Sequence, residues 1–378
     1  MEERSQKDCV GSESADLARY LSKAAATRTP LSVSFELTHR CNFRCIHCYL
    51  GDQEAIHKHR HRELDTDRII RLLDEMVESG TLFLTLTGGD PMLRPDFVRI
   101  YEHAVCIGLL VTVFCNGSLL TDDVLNSFIR YPPRVIEVTV YGATRKTFEA
   151  VTQKTGSFSA CMEGIARLQA EKVRLRLKMI VMTLNIHEFD AVREFSEGVG
   201  VPFRHDCSLH PALPNVDNAG RTNCASNLSD PVRFRISPEQ AAELDMRVNK
   251  LTFALTESIE SSTIKKSSGV LYHCEAGKTS YHLDPYGQLQ PCLIMFSRGM
   301  MLGKEGVQAA WKIMRKEFSM CAAIESFPCD GCRNRDICTG CPSAFALETG
   351  SPNQVDTYYC QYAEYRRKEV ERLSSTRC

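Results

Sequence analysis

The sequence predicts an α/β protein: a partial (β/α)6 TIM-like barrel over residues 31–235, followed by a smaller C-terminal domain. Three observations carry this. Short apolar strands alternate with helical stretches six times in about 200 residues. Turns rich in Cys, Gly and Asn come directly after the strands, where parallel barrels keep their chemistry. Cysteines then crowd together again from Cys274 onward.

Residues 1–30 form a lead-in with a helical stretch from Ala15 to Ala26. The first strand is Leu31 to Leu37, where Val33, Phe35 and Leu37 alternate with Ser32, Ser34 and Glu36. The basic tract from His57 to Arg62 reads as a solvated loop, because no thiol adjoins it. A helix starts at Asp65 or Thr66, shows Ile69, Leu72, Leu73 and Met76 on one face, and ends at Gly80. Thr81 to Thr87 is the second strand and runs into Gly88-Gly89-Asp90-Pro91, where glycines let a ligand approach the backbone. Asp96 to Gly108 is helical, and Leu109 to Cys115 is the third strand, closed by the turn Asn116-Gly117-Ser118.

Val135 to Tyr141 is the fourth strand. The fifth, Val173 to Thr183, alternates Val173, Leu175, Leu177 and Met179 with Arg174, Arg176 and Lys178. Two readings of those cations stand open. They face the barrel interior and need an anionic partner, or they lie on the solvated face of an edge strand. Val201 to Ser208 is a short sixth strand, and residues 210–230, rich in Asn, Pro, Gly and Ser, read as a long loop. A capped helix from Ser237 to Leu251 opens a bridging region over residues 236–270. The C-terminal domain spans residues 271–365, with a tail at 366–378.

A net charge of −1 favours neither nucleic acid nor an anionic membrane as partner. The longest apolar run, Ala104 to Cys115, is too short to span a bilayer. Eighteen cysteines without an export signal point to metal in a reducing, cytoplasmic compartment, and not to disulfides.

The chemistry starts at Cys41-Asn42-Phe43-Arg44-Cys45-Ile46-His47-Cys48. A [4Fe–4S] cube takes up to four thiolates. Only three are local here, so one iron keeps an open position, as reactive metal sites do. The same spacing would suit one face of a helix with three core cysteines, but Asn42, Arg44 and His47 are polar company for a core.

C-x-x-x-C-x-x-C after a first strand resembles the signature of the radical S-adenosylmethionine (SAM) enzymes. That resemblance implies that Cys41, Cys45 and Cys48 hold a catalytic [4Fe–4S] cluster whose open iron SAM chelates. It implies Tyr49 near the adenine, Gly88, Gly89 and Asp90 at the SAM amino group, and Asn116 and Ser118 facing the cofactor. It adds Thr183 and Asn185 near the adenosine, and it makes the SAM carboxylate a possible partner for Lys178. Asp90 stands where the family usually has Glu, and Cys115 where it usually has Thr.

The second cysteine field centres on Cys329-x-x-Cys332-x5-Cys338-x-x-Cys341, spacing that signals metal and would also suit a zinc ribbon. Its layout resembles the SPASM domain that extends many radical SAM enzymes. By that resemblance Cys329, Cys332, Cys338 and Cys360 hold one auxiliary [4Fe–4S] cluster. Cys274, Cys292 and Cys341 hold another, with either an open iron or Cys321 as the fourth ligand. The last quartet gap is two residues where three is usual.

The class implies reductive cleavage of SAM to a 5′-deoxyadenosyl radical that takes hydrogen from a substrate. The expected substrate is a ribosomal peptide or small protein undergoing side-chain crosslinking, on the loose analogy of Cys338-Thr339-Gly340-Cys341-Pro342 to peptide maturases. A flavodoxin or ferredoxin is the expected reductant. The competing readings are an enzyme acting on a tetrapyrrole and a non-catalytic zinc-binding protein. A sulfatase maturase is disfavoured, because Leu293 follows Cys292 where that group has Asp.

Overall fold

The computed structural model describes residues 19–213, 215–216, 221–222, 230–261, 271–295, 298–319, 321, 324 and 327–375. Its centre is a run of six parallel strands paired in sequence order: β1 (Ser32–Thr38), β2 (Phe83–Gly88), β3 (Leu110–Cys115), β4 (Val135–Thr139), β5 (Leu175–Ile180) and β6 (Phe203–Asp206). Seven helices connect them: α1 (Gln53–Lys58), α2 (Thr66–Glu78), α3 (Phe97–Cys106), α4 (Asp122–Arg130), α5 (Arg145–Thr152), α6 (Ser157–Ala170) and α7 (Phe189–Gly198). This is the partial barrel that the alternation of strands and helices predicts.

Burial follows the pleat. Val33, Phe35 and Leu37 of β1 are fully buried in the main core with Ile69, Leu72, Leu73 and Met76 of α2. Alternate residues point the other way, so Glu36 and Thr38 are buried in the barrel interior. β5 lies between β4 and β6, which overturns the edge-strand reading of its cations. The basic tract is also not a loop. Asp52 caps α1 by accepting from Glu54 N–H at 2.9 Å, Gln53 and Ile56 are buried, and Arg60–Arg62 forms a 3-10 turn.

The sheet does not stop with the barrel. β9 (Ser280–Leu283) runs parallel to β1, and β10 (Gln288–Gln290) and β11 (Met300–Met301) follow it antiparallel, giving nine strands. The remaining two strands, β7 (Asn215–Val216) and β8 (Arg221–Thr222), form a small hairpin inside the expected loop. The expected helix from Ser237 is two helices, α8 (Pro238–Met246) and α9 (Asn249–Ser261). They part because they pack on different partners: Ala241, Ala242 and Leu244 join the main core, while Leu255 packs with Ile337 and Val370.

Three further helices are α10 (Gly306–Ser319), α11 (Pro342–Thr349) and α12 (Thr357–Ser375). A second core gathers Leu271, Tyr272, Phe318, Phe327, Phe345 and Tyr359, and Cys292, Cys321, Cys329, Cys338 and Cys341 pack against it. The clamp between this region and the barrel edge is Asp245 of α8. Its carboxylate accepts from His205 Nε2 of β6 at 2.9 Å, from Tyr362 Oη at 2.7 Å and from Arg366 Nε at 2.6 Å. Arg366 also donates to Ile337 O, next to Cys338, at 2.7 Å.

Candidate metal and cofactor centre

The cysteine loop leaves the C-terminal end of β1 and is pinned from two sides. Cys41 N–H donates to Gln53 Oε1 of α1 at 2.7 Å. On the other side, Arg44 N–H and Ile46 N–H donate to Thr152 O and Val151 O at the end of α5, both at 3.0 Å. Phe43 is buried edge-on against Phe148.

The three thiols are brought together. Burial and then Asp90 and Cys48 push the Cys41 thiol up to about 12. Burial, Cys41 and Cys48 raise Cys45, and burial raises Cys48. Half-buried thiols whose ionisation is disfavoured by desolvation and by one another fit a multi-iron group, whose positive charge would reverse that penalty. Polar donors already point at the sulfurs, as tuned cluster sites require. Phe43 N–H and Asn116 Nδ2 lie 3.4 and 3.8 Å from Cys41 Sγ, and the Tyr141 hydroxyl bonds Cys45. Among the described residues, no three His, Cys, Asp or Glu side chains close on a single metal ion.

The Gly-Gly-Asp turn crosses the end of β1 at van der Waals limit. A Cβ on Gly88, whose φ is +126°, would stand 2.0 Å from Thr38 O, and one on Gly89 would stand 2.3 Å from Arg40 O. Gly89 and Asp90 N–H groups donate to those two carbonyls at 2.8 and 3.0 Å. The Asp90 side chain is fully buried and turned inward, accepting from Met92 N–H at 3.0 Å and Asn116 N–H at 2.9 Å. Burial lifts its carboxyl to about 6 despite those two donors.

Asn116 and Ser118 meet Asn42 in a closed polar knot beside Cys41. Asn116 Nδ2 donates to Asn42 Oδ1 at 2.8 Å, Asn42 Nδ2 donates to Ser118 Oγ at 2.9 Å, and Ser118 Oγ donates to Asn116 Oδ1 at 2.6 Å. Tyr49 turns its hydroxyl onto Glu36 Oε1 at 2.6 Å. Glu36 Oε2 also accepts from His39 Nε2 at 2.9 Å and from His282 Nε2 of β9 at 3.2 Å. Burial raises the Glu36 carboxyl, but His39 and His282 outweigh it and hold the group well below the usual range.

Two expected cofactor positions are already spent or turned away. The buried Asn185 side chain accepts from Met182 N–H at 2.8 Å and donates to Tyr141 O at 3.0 Å and Ile180 O at 2.9 Å, so it braces β4 to β5. Thr183 is exposed. The interior cations of β5 have protein partners. Arg176 lies 3.6 Å from Glu137, which Arg204 of β6 also holds, and Lys178 Nζ lies 3.9 Å from Asp206. His47, half-buried with its ring 5.1 Å from Tyr141, is pushed down to about 4 by desolvation and then by Lys178.

The second cysteine field sorts into two groups. Burial and then Cys338, Cys360 and Cys332 push Cys329 up to about 12. Burial and then Cys341 and Cys274 do the same to Cys292. The short quartet gap leaves the alternation intact, because Gly340 N–H turns back onto Cys338 Sγ at 3.3 Å while Cys341 caps α11 and accepts from Ala344 N–H at 3.5 Å. Cys321 Sγ instead bonds Glu317 O at 3.6 Å.

Sequence reading missed Asn42, Gln53, Glu36, His47, Tyr141 and His282. Local pattern gives them no signal: Asn42 finds Asn116 across 74 positions and Glu36 finds His282 across 246.

A parallel barrel with three thiols, a double-glycine turn and polar strand ends gathered at one rim defines an enzyme that carries an iron–sulfur cluster and a small cofactor there. The family model of the Radical SAM superfamily matches residues 35–196. Mycofactocin maturase MftC of Mycobacterium tuberculosis H37Rv is 24% identical over 333 residues, 85% of this chain and 81% of that protein. The AdoMet-dependent heme synthase of Methanosarcina barkeri is 28% identical over 187 residues, 50% of this chain and 53% of that protein. Streptococcus suis SuiB bound to precursor peptide SuiA superposes with a TM-score of 0.67 at 12% identity, covering 91% of this chain and 80% of that one. Native anSMEcpe with bound AdoMet gives a TM-score of 0.64 at 13% identity, covering 92% of this chain and 100% of that one. Residues 35–196 form a radical SAM domain, and the chain is an enzyme that uses a [4Fe–4S] cluster and SAM. No helix among the described residues is long and apolar enough to cross a membrane.

Proposed function

We propose that this enzyme modifies a ribosomal peptide or small protein, forming a side-chain crosslink or related bond. The observation that carries this is extent. Similarity to mycofactocin maturase MftC runs over 85% of the chain, whereas similarity to the heme synthase covers 50%. When bound, a [4Fe–4S] cluster and SAM would supply the one-electron chemistry that starts hydrogen abstraction from the substrate.

This chain's own residues do the rest. Cys41, Cys45 and Cys48 are the proposed ligands of the catalytic cluster. Asn116 and Tyr141 donate toward their sulfurs and tune the potential. Gly88, Gly89 and Asp90 shape the rim closely enough for SAM to lie on the backbone. Lys178 and His47 face the interior beside it. Cys329, Cys332, Cys338 and Cys360 are the proposed ligands of one auxiliary cluster, and Cys274, Cys292 and Cys341 would hold a second, with Cys321 or an open position as its fourth. A flavodoxin or ferredoxin is the proposed reductant, and the cytoplasm the proposed compartment.

The test is iron and zinc content after anaerobic reconstitution, then mass spectrometry of candidate peptides incubated with SAM and reductant. About twelve irons per chain and a peptide product lighter by hydrogens support the reading. About four irons with zinc in the remainder sink the auxiliary clusters. Conversion of an iron porphyrin with no peptide product moves the enzyme to the tetrapyrrole class.

A further inference from the structure

We propose that the face formed by α1 and the turn after α5 is the docking surface for an acidic one-electron carrier protein, which reduces the catalytic cluster through Cys41. This rests on the proposed role of Cys41 as a cluster ligand. A pocket of about 670 Å³ opens there, lined by Cys41, Asn42, Arg44, Gln53, His57 and Lys154 among others. Gly88, Asp90, Asn116 and Lys178 are not in its lining. The pocket reaches the cysteine loop at Cys41 and Asn42 from the side of α1.

Three observations fit an acidic protein and not a small ligand. The first is charge. Arg44 and Lys154 line the pocket and are exposed, and the exposed Lys58 lies four residues along α1 from Glu54 of the same lining. Arg60 and His61 continue the exposed basic run one turn further. Glu54 of the same lining pairs with Arg44 at 2.9 Å and Asp52 caps α1, so the surplus positive charge rests on Lys58, Lys154 and Arg60. The second is asymmetry. The chain as a whole carries −1, so a local surplus of positive charge is a feature of this face. Such a patch steers an oppositely charged protein and sets its orientation. The third is contact with the loop itself. His57 Nε2 lies 3.2 Å from Cys41 O, and Gln53 holds Cys41 N–H, so a partner resting on α1 lies one residue from a cluster thiol.

In the step, one electron leaves the carrier's reduced group and enters the cluster. The carrier departs oxidised by one electron, and no proton or atom is transferred.

The test uses the reconstituted full chain and a purified acidic flavodoxin. Binding of fluorescently labelled flavodoxin is read by anisotropy, and 5′-deoxyadenosine formation is read with flavodoxin or dithionite as reductant. Lys58→Glu/Lys154→Glu should weaken flavodoxin binding about tenfold or more and slow flavodoxin-driven turnover to match. Its dithionite-driven turnover should stay at the wild-type level. Wild-type binding should weaken steeply with added salt, because exposed charge pairs are screened within about 10 Å at 0.1 M.

Unchanged flavodoxin affinity in the double variant overturns the proposal. So does a salt-independent affinity in the wild type, a readout that needs no variant. A raised KM for the peptide with unaltered flavodoxin binding assigns the face to substrate and also overturns it. If wild-type enzyme with dithionite makes no 5′-deoxyadenosine, the catalytic reading fails first. Flavodoxin affinity that persists in that case identifies which of the two ideas was at fault.

Discussion

Glu36 holds three partners at once, and this makes it the most exacting single residue of the rim. Tyr49, His39 and His282 all donate to its buried carboxylate. Glu36→Ala leaves three buried donors without an acceptor and should cost about 3–5 kcal/mol, read as a fall in the urea midpoint of the apo-protein. Asp245 makes the same kind of prediction with a pH signature. Burial raises its carboxyl, but the bonds from His205 and Arg366 and their charges prevail and lower it. A depressed acid contributes stability that is present above the unfolded value, about 3.9, and is lost as pH falls through the folded one. Wild-type stability should therefore decline below about pH 4, and Asp245→Asn should flatten that part of the decline. An equal acid slope in both proteins would remove Asp245 from the account. Asp90 shows the limit of reading such residues from sequence: its position was legible, but its carboxylate braces β2 to β3 instead of reaching outward.

At the scale of elements, the turn after β2 is fixed by sterics and not by preference. An alanine at Gly89 would press its Cβ into Arg40 O, a backbone atom that cannot step aside without moving the cysteine loop. Gly89→Ala should destabilise by about 3 kcal/mol and lower iron uptake at the catalytic site, measured by reconstitution and thermal melting together. The quartet loop offers the complementary test. Cys360→Ala should leave about eight irons per chain and preserve SAM cleavage while product formation falls. Loss of all iron would show that the auxiliary thiols hold the fold and not only a cluster. The strands and the two cysteine fields were readable because period-two alternation and thiol spacing are local. The true state of residues 57–62 was not, because the cap Asp52 and buried Ile56 outweigh the tract's polarity. The split of the α8–α9 stretch depends likewise on two separate cores.

The molecule as a whole is joined by one sheet. β9 pairs with β1 in parallel, so the region bearing the second cysteine field contributes a strand beside the cluster loop, and His282 crosses with it. Asp245, Arg366 and Tyr362 fasten the opposite barrel edge to α12. The C-terminal region is thus held at both edges of the barrel. Unfolding of apo-protein should be a single transition seen alike by near-UV dichroism and by protease susceptibility of the 271–365 segment. Two separate transitions would refute that coupling.

The sequence by itself determined the barrel, the three-thiol loop, the double-glycine turn and the crowding of cysteines from Cys274 onward. Each is written in spacing along the chain, which covalent geometry and the strand and helix periods make legible. Only the tertiary structure decided which polar side chains are spent as braces, that Lys178 already faces Asp206, that β9 extends the barrel sheet, and that α1 stands over Cys41. Those depend on partners brought together from tens to hundreds of positions apart. Such pairings are chosen by packing and by the requirement that every buried polar group find a mate.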